Sequence, residues 1–409
     1  MSSVIREEVV AIQYLMKNFP CVAIIGARQV GKTTLLKQLL PNAPFFDLER
    51  EKDFERITHD PEFFLSNQPS PIIIDEAQLC PKLFNALRVK IDQNRSTPGQ
   101  FLISGSSSPE LLNAISESLA GRIAIVELGS FQFREAFQTP ISLFYQLIKE
   151  KKYDELISLK SQISKPQLFE NMLSGSYPEP FLKNNDLQFL MLWQENYFNT
   201  YINRDIRRLF PTLQIETFKR FIKMMAFSSG QIINYSNFAR SLDVSSPTIK
   251  SYFHIAAGTF LWRILPSYEN SKLKRIVKMP KGHLRDTGLI CNLLNIQSIE
   301  DLISHPQFGY IWESFIIEQI FKAFSSQLIK VNAAYYRTHN QTEIDLLLEI
   351  GSELIPIEIK SGVLIKSVYL QKITNFIKEN NCPIGIVINN AEEICWLSKS
   401  IIQIPASYL

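Results

Sequence analysis

The sequence predicts an α/β protein built from several domains, one of which contains a mainly parallel β-sheet. The length of 409 residues exceeds what one hydrophobic core usually organises, at about 150 residues per domain. The segment CVAIIGARQVGKTTLLKQLL joins an apolar run, a loop with two glycines and a helical pattern. A second apolar run, in PIIIDEAQ, ends in two acidic residues. Apolar strands that deliver polar residues at their carboxyl ends are typical of open α/β sheets.

The composition is that of a soluble globular protein. Hydrophobic residues make up 45% and charged residues 20% of the chain, and no apolar run approaches the ~18 residues that span a bilayer. Glu7, Glu8 and Lys17 interrupt the N-terminal segment, which predicts an amphipathic helix and not a secretory signal. We therefore expect a cytoplasmic location and no membrane partner. The five scattered cysteines favour buried free thiols, and the net charge of +3 neither requires nor excludes DNA.

The segment around the first glycines predicts a strand, a phosphate-binding loop and a helix. Glycines let backbone N–H groups turn inward around phosphates, and the N-terminus of the following helix faces the anion. Lys32 would reach the terminal phosphates, and Thr33 would supply a hydroxyl to Mg²⁺. The residues expected to contact a nucleotide in this loop are Gly26, Ala27, Arg28, Gln29, Val30, Gly31, Lys32, Thr33 and Thr34.

Two acidic residues favour a nucleotide site over the alternative, a glycine loop in an unrelated βα unit. Asp75 and Glu76 follow an apolar run, and the ends of parallel strands lie at one edge of a sheet. Asp75 would hold Mg²⁺ from the second coordination sphere of the ion. Glu76 would orient or polarise the attacking water. Lys32, Asp75 and Glu76 are therefore expected catalytic residues, with Thr33 and Asp75 as metal-binding residues.

Three further apolar runs lie in FFDLE, QFLISGSSS and RIAIVELG. With the two runs described above, they bring the number of predicted strands to five. At this point the sequence resembles the AAA+ ATPases: Gly26 to Thr33 is similar to Walker A, and Asp75-Glu76 is similar to Walker B. The resemblance implies ATP and Mg²⁺ as cofactors and allows a homo-oligomer. It places the sensor 1 residue in ISGSSS, at either Ser104 or Ser106.

Arg122, in SLAGR, is a further candidate catalytic residue. Its positive charge could meet a γ-phosphate, either in the same chain or across a subunit boundary, and stabilise transition-state charge. The alternative is an arginine that ends a helix or joins an ion pair.

The middle of the chain predicts helices that cover the nucleotide. Two stretches, GSYPEP and YINRDI, together with KGHLRDTGL and GYIWESFIIEQI, resemble prokaryotic AAA+ proteins whose C-terminal half is a domain of unknown function. That resemblance implies an ATPase core, a helical region with a winged helix, and a C-terminal domain similar to restriction endonucleases. Arg204 and Arg207 are possible lid contacts to nucleotide, or else residues of a solvated or ion-paired helix face.

A helix-turn-helix is predicted in NYSNFARSLDVSSPTIKSYFH, with a turn at Asp243-Val244 and Ser246 as N-cap of the second helix. The following hairpin carries cations that could touch DNA phosphates as a wing. The alternative is a winged helix that packs between domains with solvated lysines. The predicted wing cations are Lys272, Lys274, Arg275, Lys278 and Lys281.

The stretch EIDLLLEIGSELIPIEIK predicts a hairpin whose turn is Gly351-Ser352. In that register Asp345 faces Glu358, and Glu343 faces Lys360, all on one side of the sheet. Two opposed carboxylates repel each other, which favours protonation of one of them. A bound cation such as Mg²⁺ would stabilise both in the ionised form.

The order of these residues resembles the PD-(D/E)xK nuclease superfamily, which implies Asp345, Glu358 and Lys360 as catalytic residues. Glu313 is the expected extra metal ligand, beside Asp345 and Glu358, and Glu318 is the reserve. The alternative is cross-strand ion pairing without a metal.

Together these patterns predict four domains: an ATPase core (1–135), a helical lid (136–225), a winged helix-turn-helix (226–285) and a nuclease-like α/β domain (286–409). The expected function is ATP hydrolysis coupled to a C-terminal domain that acts on or binds DNA. A nucleotide-dependent switch with a non-catalytic C-terminal domain, and an ATPase that remodels a protein partner, are the alternatives.

Overall fold

The computed structural model describes residues 4–106, 115, 117–161, 163–183, 186–268, 279–337 and 343–409. The chain forms two compact units. The first comprises Met1–Phe131, Gly258–Phe260 and Ser325–Leu328, and the second comprises Gln132–Ala257, Leu261–Phe324 and Ile329–Leu409. Every helix in the described ranges is too short or too polar to cross a bilayer.

A five-stranded parallel sheet forms the centre of the first unit. Its strands are β1 (Cys21–Ile25), β2 (Phe45–Asp47), β3 (Ile72–Asp75), β4 (Phe101–Gly105) and β5 (Ile123–Glu127). They are arranged in the order β2-β3-β4-β1-β5, and each neighbouring pair is parallel. β1, β3 and β4 are buried along their whole length, as continuous apolar runs require. The predicted parallel α/β core is therefore confirmed.

Among the described residues of the first unit, one helix precedes β1 and the other helices follow strands of the sheet. They are α1 (Glu8–Met16), α2 (Lys32–Leu39), α3 (Glu51–His59), α4 (Pro61–Ser66) and α5 (Lys82–Gln93), with a short 3₁₀ helix at Ala77–Leu79. α1 is the predicted first helix, and it buries Ala11, Ile12 and Leu15. The side chain of Asp60 accepts a hydrogen bond from the Phe63 N–H at 3.0 Å and so caps α4.

Helices dominate the start of the second unit, as the periodicity between residues 136 and 225 predicts. They are α6 (Phe133–Phe137), α7 (Leu143–Glu150), α8 (Lys165–Ser174), α9 (Pro178–Leu182), α10 (Leu187–Thr200), α11 (Arg207–Leu209) and α12 (Ile215–Phe227), with a 3₁₀ helix at Tyr153–Ser158. The motif YINRDI forms a π-helix, Tyr201–Ile206, between α10 and α11. It buries Tyr201, Ile202 and Ile206 and leaves Arg204 on the exposed side.

A helix-turn-helix follows, formed by α13 (Tyr235–Leu242) and α14 (Ser246–Gly258). Asp243 takes the left-handed conformation at the predicted turn, with φ 55°. The predicted N-cap is wrong by one residue, because the hydroxyl of Ser245 accepts the Thr248 N–H at 3.2 Å and α14 starts at Ser246. In this pair of helices and their turn, Phe238, Leu242, Ile249 and Phe253 are buried, and Val244 is half-buried.

A small three-stranded antiparallel sheet accompanies these helices. It contains β6 (Gln231–Ile232), β7 (Trp262–Leu265) and β8 (Lys281–Leu284), in the order β6-β8-β7. Four of the predicted wing cations, Lys272, Lys274, Arg275 and Lys278, lie outside the described residues. Lys281 is the first residue of β8, and its side chain is buried.

A mixed sheet of six strands completes the second unit. Its strands are β9 (Asn332–Arg337), β10 (Glu343–Ile350), β11 (Glu353–Ile359), β12 (Gly385–Asn389), β13 (Cys395–Ser398) and β14 (Ile401–Pro405). In the order β13-β14-β12-β11-β10-β9, the β11–β12 and β12–β14 pairs are parallel and the other pairs are antiparallel. The remaining helices are α15 (Thr287–Leu293), α16 (Ile299–Ser304), α17 (Phe308–Ser326) and α18 (Ser367–Asn380), with a 3₁₀ helix at Ala406–Tyr408.

Candidate functional site

The loop between β1 and α2 has the backbone geometry of a phosphate cradle. A β-carbon at Gly26 would meet the carbonyl oxygen of Leu128 at 2.1 Å, so this position accepts only glycine. Gly31 has φ 96°, a left-handed value that other residues rarely adopt. α2 begins at the next residue, so its N-terminal N–H groups border the loop.

Lys32 lies across this loop. Its Nζ donates hydrogen bonds to the carbonyl oxygens of Gly26 at 3.1 Å and Ala27 at 2.9 Å. The side chain is buried, and the carbonyls replace part of the ammonium group's hydration. The positive charge is thus fixed at the loop itself.

Asp75, at the end of β3, connects the loop to the neighbouring strands. Thr33 Oγ1 donates to Oδ2 of Asp75 at 2.6 Å, and the hydroxyl of Ser104, on β4, donates to Oδ1. Burial raises the pKa of Asp75, and these two hydrogen bonds act in the opposite direction. A hydroxyl and a carboxylate at this distance are hard oxygen donors of the kind that Mg²⁺ takes, so the residues fit the expected metal.

Glu76 is held beside Asp75 in an unusual backbone conformation, with φ 54°. Ser106 Oγ donates to Glu76 Oε2 at 2.7 Å, and the side-chain amide of Gln78 donates to the same oxygen. Burial alone would raise the pKa of Glu76, but the charge of Lys32 and the bond from Ser106 outweigh it and hold the pKa below its ordinary value. Glu76 is therefore ionised at neutral pH and can accept a proton or orient water.

Both candidate serines thus contact an acidic residue, Ser104 with Asp75 and Ser106 with Glu76. The sequence left open which of them serves the site. Gln78 was not predicted, although its position two residues after Glu76 in PIIIDEAQ placed it close in the chain.

Arg6 is a second residue that the sequence did not indicate. Its Nη1 donates to the Val30 carbonyl oxygen at 2.8 Å, and its Nη2 donates to the Gly129 carbonyl oxygen at 2.9 Å. The guanidinium lies 5.1 Å from the ring centroid of Phe131 and is buried. One side chain therefore joins the phosphate loop to the segment after β5, while Arg28, on the same loop, lies 3.5 Å from Glu49 at the surface.

The position of Arg122 does not support its predicted role in the same chain. Arg122 precedes β5, whose first residue pairs with Cys21 at the start of β1, whereas Gly26 follows the end of β1. With a rise of about 3.3 Å per residue, the two ends of these strands are on the order of 15 Å apart. Arg122 instead forms an ion pair with Asp92, at 2.8 Å and 2.9 Å. Its role across a subunit boundary stays a prediction.

In the second unit, the predicted hairpin register is confirmed. Ile350 pairs with Glu353 and Leu346 with Ile357, so continuing the ladder brings Asp345 opposite Glu358. Gly351 has φ 62°, as the first central position of a type II′ turn requires. On the other side of β10, the pairing with β9 shifts between Ile344 and Leu347. The parallel ladder of β11 to β12 begins only after Pro356, which has no N–H to donate.

Lys360 joins the two facing acids. Its Nζ lies 2.7 Å from Oδ2 of Asp345 and 2.8 Å from Oε1 of Glu358. The Ile359 N–H also donates to Oδ2 of Asp345, at 2.8 Å. The structure therefore brings together the predicted trio Asp345, Glu358 and Lys360.

Glu343 has a different partner from the one predicted. Its Oε1 accepts from Lys281 Nζ at 2.9 Å, and the same nitrogen lies 2.6 Å from Oε1 of Glu313. The placement of Lys281 on an exposed DNA-binding wing is therefore wrong. Burial alone would lower the pKa of Lys281, but the charges of Glu313, Asp345 and Glu343 outweigh it and raise the pKa, so the side chain is charged.

The predicted metal ligands Glu313, Asp345 and Glu358 are close to lysines and not arranged around an open cation position. Within the described ranges, no group of three or more His, Cys, Asp or Glu side chains is placed to hold a metal. Burial raises the pKa of Glu313 to about 8 and that of Glu358 to about 7. Oε2 of Glu358 is buried with no hydrogen-bond partner. The carboxylate oxygens would suit a hard cation, but the ammonium groups of Lys281 and Lys360 contact them instead.

Glu318 does not fit its role as the reserve metal ligand. Arg263 and Arg285 form ion pairs with its carboxylate, and His283 Nε2 lies 2.9 Å from Oε1. Although burial raises the pKa of Glu318, Arg263 and Arg285 hold it well below its ordinary value. Its charge is thus already compensated by protein groups.

The motifs GSYPEP and RDTGL contact each other. Oδ2 of Asp286 accepts the Ser176 N–H at 2.9 Å, and Oδ1 accepts the Leu289 N–H at 3.2 Å. A β-carbon at Gly288 would meet the backbone nitrogen of Gly175 at 2.5 Å. These residues therefore have a packing role.

Arg204 and Arg207 are exposed, and their contact with nucleotide stays a prediction.

Three family models match the chain: an AAA domain over residues 18–137, a domain of unknown function (DUF8612) over residues 165–300, and a second one (DUF4143) over residues 308–409. Two relatives, the uncharacterized proteins Rv2008c of Mycobacterium tuberculosis and Mb2031c of Mycobacterium bovis, are each 32% identical over 358 residues, which cover 87% of this chain and 73% of theirs.

Among solved structures, the Walker-type ATPase PABY2304 of Pyrococcus abyssi is 16% identical, with a TM-score of 0.44, and the match covers 70% of this chain and 95% of that one. A STAND protein with a tetratricopeptide repeat sensor, PH0952 of Pyrococcus horikoshii, is 15% identical, with a TM-score of 0.27, covering 78% of this chain and 47% of that one.

Proposed function

This chain belongs to the family of the mycobacterial proteins Rv2008c and Mb2031c, and it contains an AAA domain. On this premise we propose that its first unit binds and hydrolyses ATP at the loop Gly26 to Thr33. One observation carries the proposal: the N-terminus of α2 and the ends of β3 and β4 meet in a hydrogen-bonded set that joins Thr33, Asp75 and Ser104. In this arrangement the phosphate loop lies next to an acidic residue and a polar sensor residue at the ends of strands. Such an arrangement is appropriate for phosphoryl transfer.

Each residue has a distinct task in this proposal. The loop N–H groups from Gly26 to Thr34 bind the phosphates, and Lys32 offsets their charge. Thr33 and Asp75 would hold Mg²⁺, which when bound would offset charge on the phosphate oxygens. Glu76 accepts a hydrogen bond from the attacking water and takes its proton.

Three neighbouring side chains keep these acids oriented. Ser106 and Gln78 hold the carboxylate of Glu76, and Ser104 holds that of Asp75. Because the carboxylates are fixed before the reaction, little reorganisation is needed when charge develops.

The direct test compares two lysines of α2. Lys32→Ala should abolish ATP binding and turnover, because the phosphates lose their fixed cation. Lys37→Ala removes an exposed lysine from the same helix and should leave both unchanged. ATP hydrolysis at the wild-type rate in Lys32→Ala would refute the proposal.

A metal-dependent action on DNA by the second unit is a second candidate function. It is supported by the trio Asp345, Glu358 and Lys360 on the paired strands β10 and β11. We further propose that α12 to α14 and the sheet β6-β8-β7 form a winged helix, and that the domains divide at residues 1–135, 136–225, 226–285 and 286–409. The remaining wing cations, Lys272, Lys274, Arg275 and Lys278, would contact phosphates.

This second function is tested with duplex, single-stranded and branched DNA in Mg²⁺ or Mn²⁺, with and without ATP, beside Asp345→Ala. Cleavage that is lost in the variant supports a catalytic domain, and its dependence on ATP supports coupling between the two units. DNA binding with DNA-stimulated ATP turnover and no cleavage would favour a nucleotide-dependent switch. An Arg122→Ala variant that loses ATPase activity only in an oligomer would support a role across subunits.

A further inference from the structure

The side chain of Arg28 reaches from the phosphate loop to the segment that follows β2. Its Nη2 donates to Oε1 of Glu49 at 3.5 Å. The N–H of Leu48, the residue before Glu49, donates to the carbonyl oxygen of Asp75 at 3.1 Å. The segment that carries Glu49 is therefore fixed to the end of β3. The Arg28 guanidinium lies beside the strand end that supplies Asp75 and Glu76.

The contact between Arg28 and Glu49 crosses the edge of the sheet that forms the proposed nucleotide site. The phosphate loop follows β1 and Glu49 follows β2, and β4 and β3 lie between these strands. With about 4.8 Å between neighbouring strands, the ends of β1 and β2 are about 14 Å apart. The two intervening strands carry Ser104 and Asp75 near their ends. The guanidinium thus borders the position at which Glu76 would meet the terminal phosphate.

This ion pair can exchange for a stronger one. The side chains of Arg28 and Glu49 are 23% and 36% exposed, and 3.5 Å is long for a charge-assisted hydrogen bond. Exposed ion pairs of this kind contribute little to stability. A phosphate group can accept two parallel hydrogen bonds from a guanidinium, and such bidentate pairs are among the stronger hydrogen bonds. A terminal phosphate at this edge would therefore displace Glu49 from Arg28.

We propose that the side chain of Arg28 binds the terminal phosphate of ATP, and that Glu49 competes with this phosphate for the guanidinium. The inference rests on the proposed function of the first unit, because it adds a side chain to the same site. Without nucleotide, Glu49 holds the guanidinium at the edge of the sheet. With ATP, Arg28 is a second cation beside Lys32. Because ADP lacks the terminal phosphate, Arg28 favours ATP over ADP.

A cation in this position also favours the reaction. During phosphoryl transfer, negative charge is spread over the oxygens of the transferred group, and a cation fixed at these oxygens stabilises it. Arg122 lies before β5, at the opposite edge of the sheet from the phosphate loop, whereas Arg28 is part of the loop. The loss of the Arg28 side chain should therefore lower kcat as well as the affinity for ATP.

The test measures the Kd values of a non-hydrolysable ATP analogue and of ADP, both with Mg²⁺, for the full chain. Arg28→Met should raise the Kd of the analogue at least about tenfold, because hydrogen bonds from a charged group are lost, and that of ADP less than about threefold. Arg28→Lys keeps the charge but not the planar fork, so it should recover part of the affinity. The kcat for ATP should fall in Arg28→Met and recover in part in Arg28→Lys.

Glu49→Gln should change the affinity in the opposite direction. The variant removes the charge that competes with the phosphate, so the Kd of the ATP analogue should fall about two- to threefold, and that of ADP should stay unchanged. If the ion pair only stabilised the loop, Glu49→Gln and Arg28→Met would instead weaken binding alike. The opposite signs therefore separate competition from a structural role.

Arg50→Met is the matched control. Arg50 follows Glu49 in the chain, and its Nε lies 3.5 Å from Oδ2 of Asp47, the same distance as in the pair of Arg28 and Glu49. The variant removes a positive charge from the same segment but not from the phosphate loop. Both Kd values should therefore stay at those of the wild type.

Two results would overturn the inference and leave the proposed function intact. Arg28→Met could weaken the binding of the ATP analogue and of ADP by equal factors, or Glu49→Gln could fail to lower the Kd of the analogue. In both cases the wild type would still hydrolyse ATP, and Lys32→Ala would not. A wild type that binds no ATP would overturn the proposed function and this inference together.

Discussion

The hydroxyl of Thr33 donates a 2.6 Å hydrogen bond to the carboxylate of Asp75. These residues are separated by 42 positions in the chain, and the parallel sheet brings them together because β1 and β3 end at the same edge. The Walker motifs therefore form one connected site, with Ser104 completing it from the strand between them.

Glu76→Gln should separate ATP binding from hydrolysis. The amide keeps the size of the side chain but cannot take a proton from water, so kcat should fall by at least about a hundredfold while ATP binding persists. Single-turnover hydrolysis and equilibrium ATP binding measure the two steps. Ser106→Ala should lower kcat by a smaller factor with little change in KM, and Ser106→Thr should restore it. A Glu76→Gln variant with wild-type kcat would contradict the role of this carboxylate.

Arg6→Ala should weaken ATP binding through the phosphate loop. The variant loses the hydrogen bonds to the carbonyls of Val30 and Gly129, and we expect about a tenfold rise in Kd for ATP. Arg6→Lys should recover only part of the affinity, since a single ammonium group replaces a planar fork. Arg50→Ala, at an exposed ion pair with Asp47, is the control and should leave Kd unchanged. Equal Kd values for the Arg6 variants and the wild type would show that Arg6 has only a packing role.

Gly175→Ala should destabilise the second unit. Gly175 has φ 76°, and an added β-carbon would lie 2.3 Å from Oδ1 of Asp286. Backbone strain and the displaced carboxylate should together lower the free energy of unfolding by about 1–3 kcal/mol. Gly309→Ala is the matched control, because a β-carbon there meets nothing within 4 Å, and it should change stability by less than about 1 kcal/mol. Urea unfolding measures both variants, and equal losses would show that the Gly175 contact is dispensable.

The cysteines should differ sharply in reactivity. Burial raises the pKa of Cys382 to about 11 and also raises those of Cys21, Cys80 and Cys291. Since a raised pKa keeps a thiol protonated, these four should remain unreactive at pH 8, and exposed Cys395 should react alone. Thiol titration should therefore count one fast group in the native protein and five after denaturation. More than one fast group in the native protein would contradict the buried positions.

The sequence by itself determined those features that depend on neighbours in the chain. The phosphate loop was predictable because its glycines, Lys32 and Thr33 are contiguous. The hairpin register was predictable because a two-residue turn and the period of two in strands align Asp345 with Glu358.

Only the tertiary structure decided which distant charges meet. Lys281 reaches Glu343 across 62 positions, and Arg6 reaches Gly129 across 123. Local periodicity carries no information about such contacts. For the same reason the sequence could not place Arg122 at the opposite end of the sheet from Gly26, or Glu318 between Arg263 and Arg285. Charged residues are easy to recognise in a sequence, but their partners depend on how strands and helices pack. A buried charge needs an opposite charge nearby, and the fold decides which one that is.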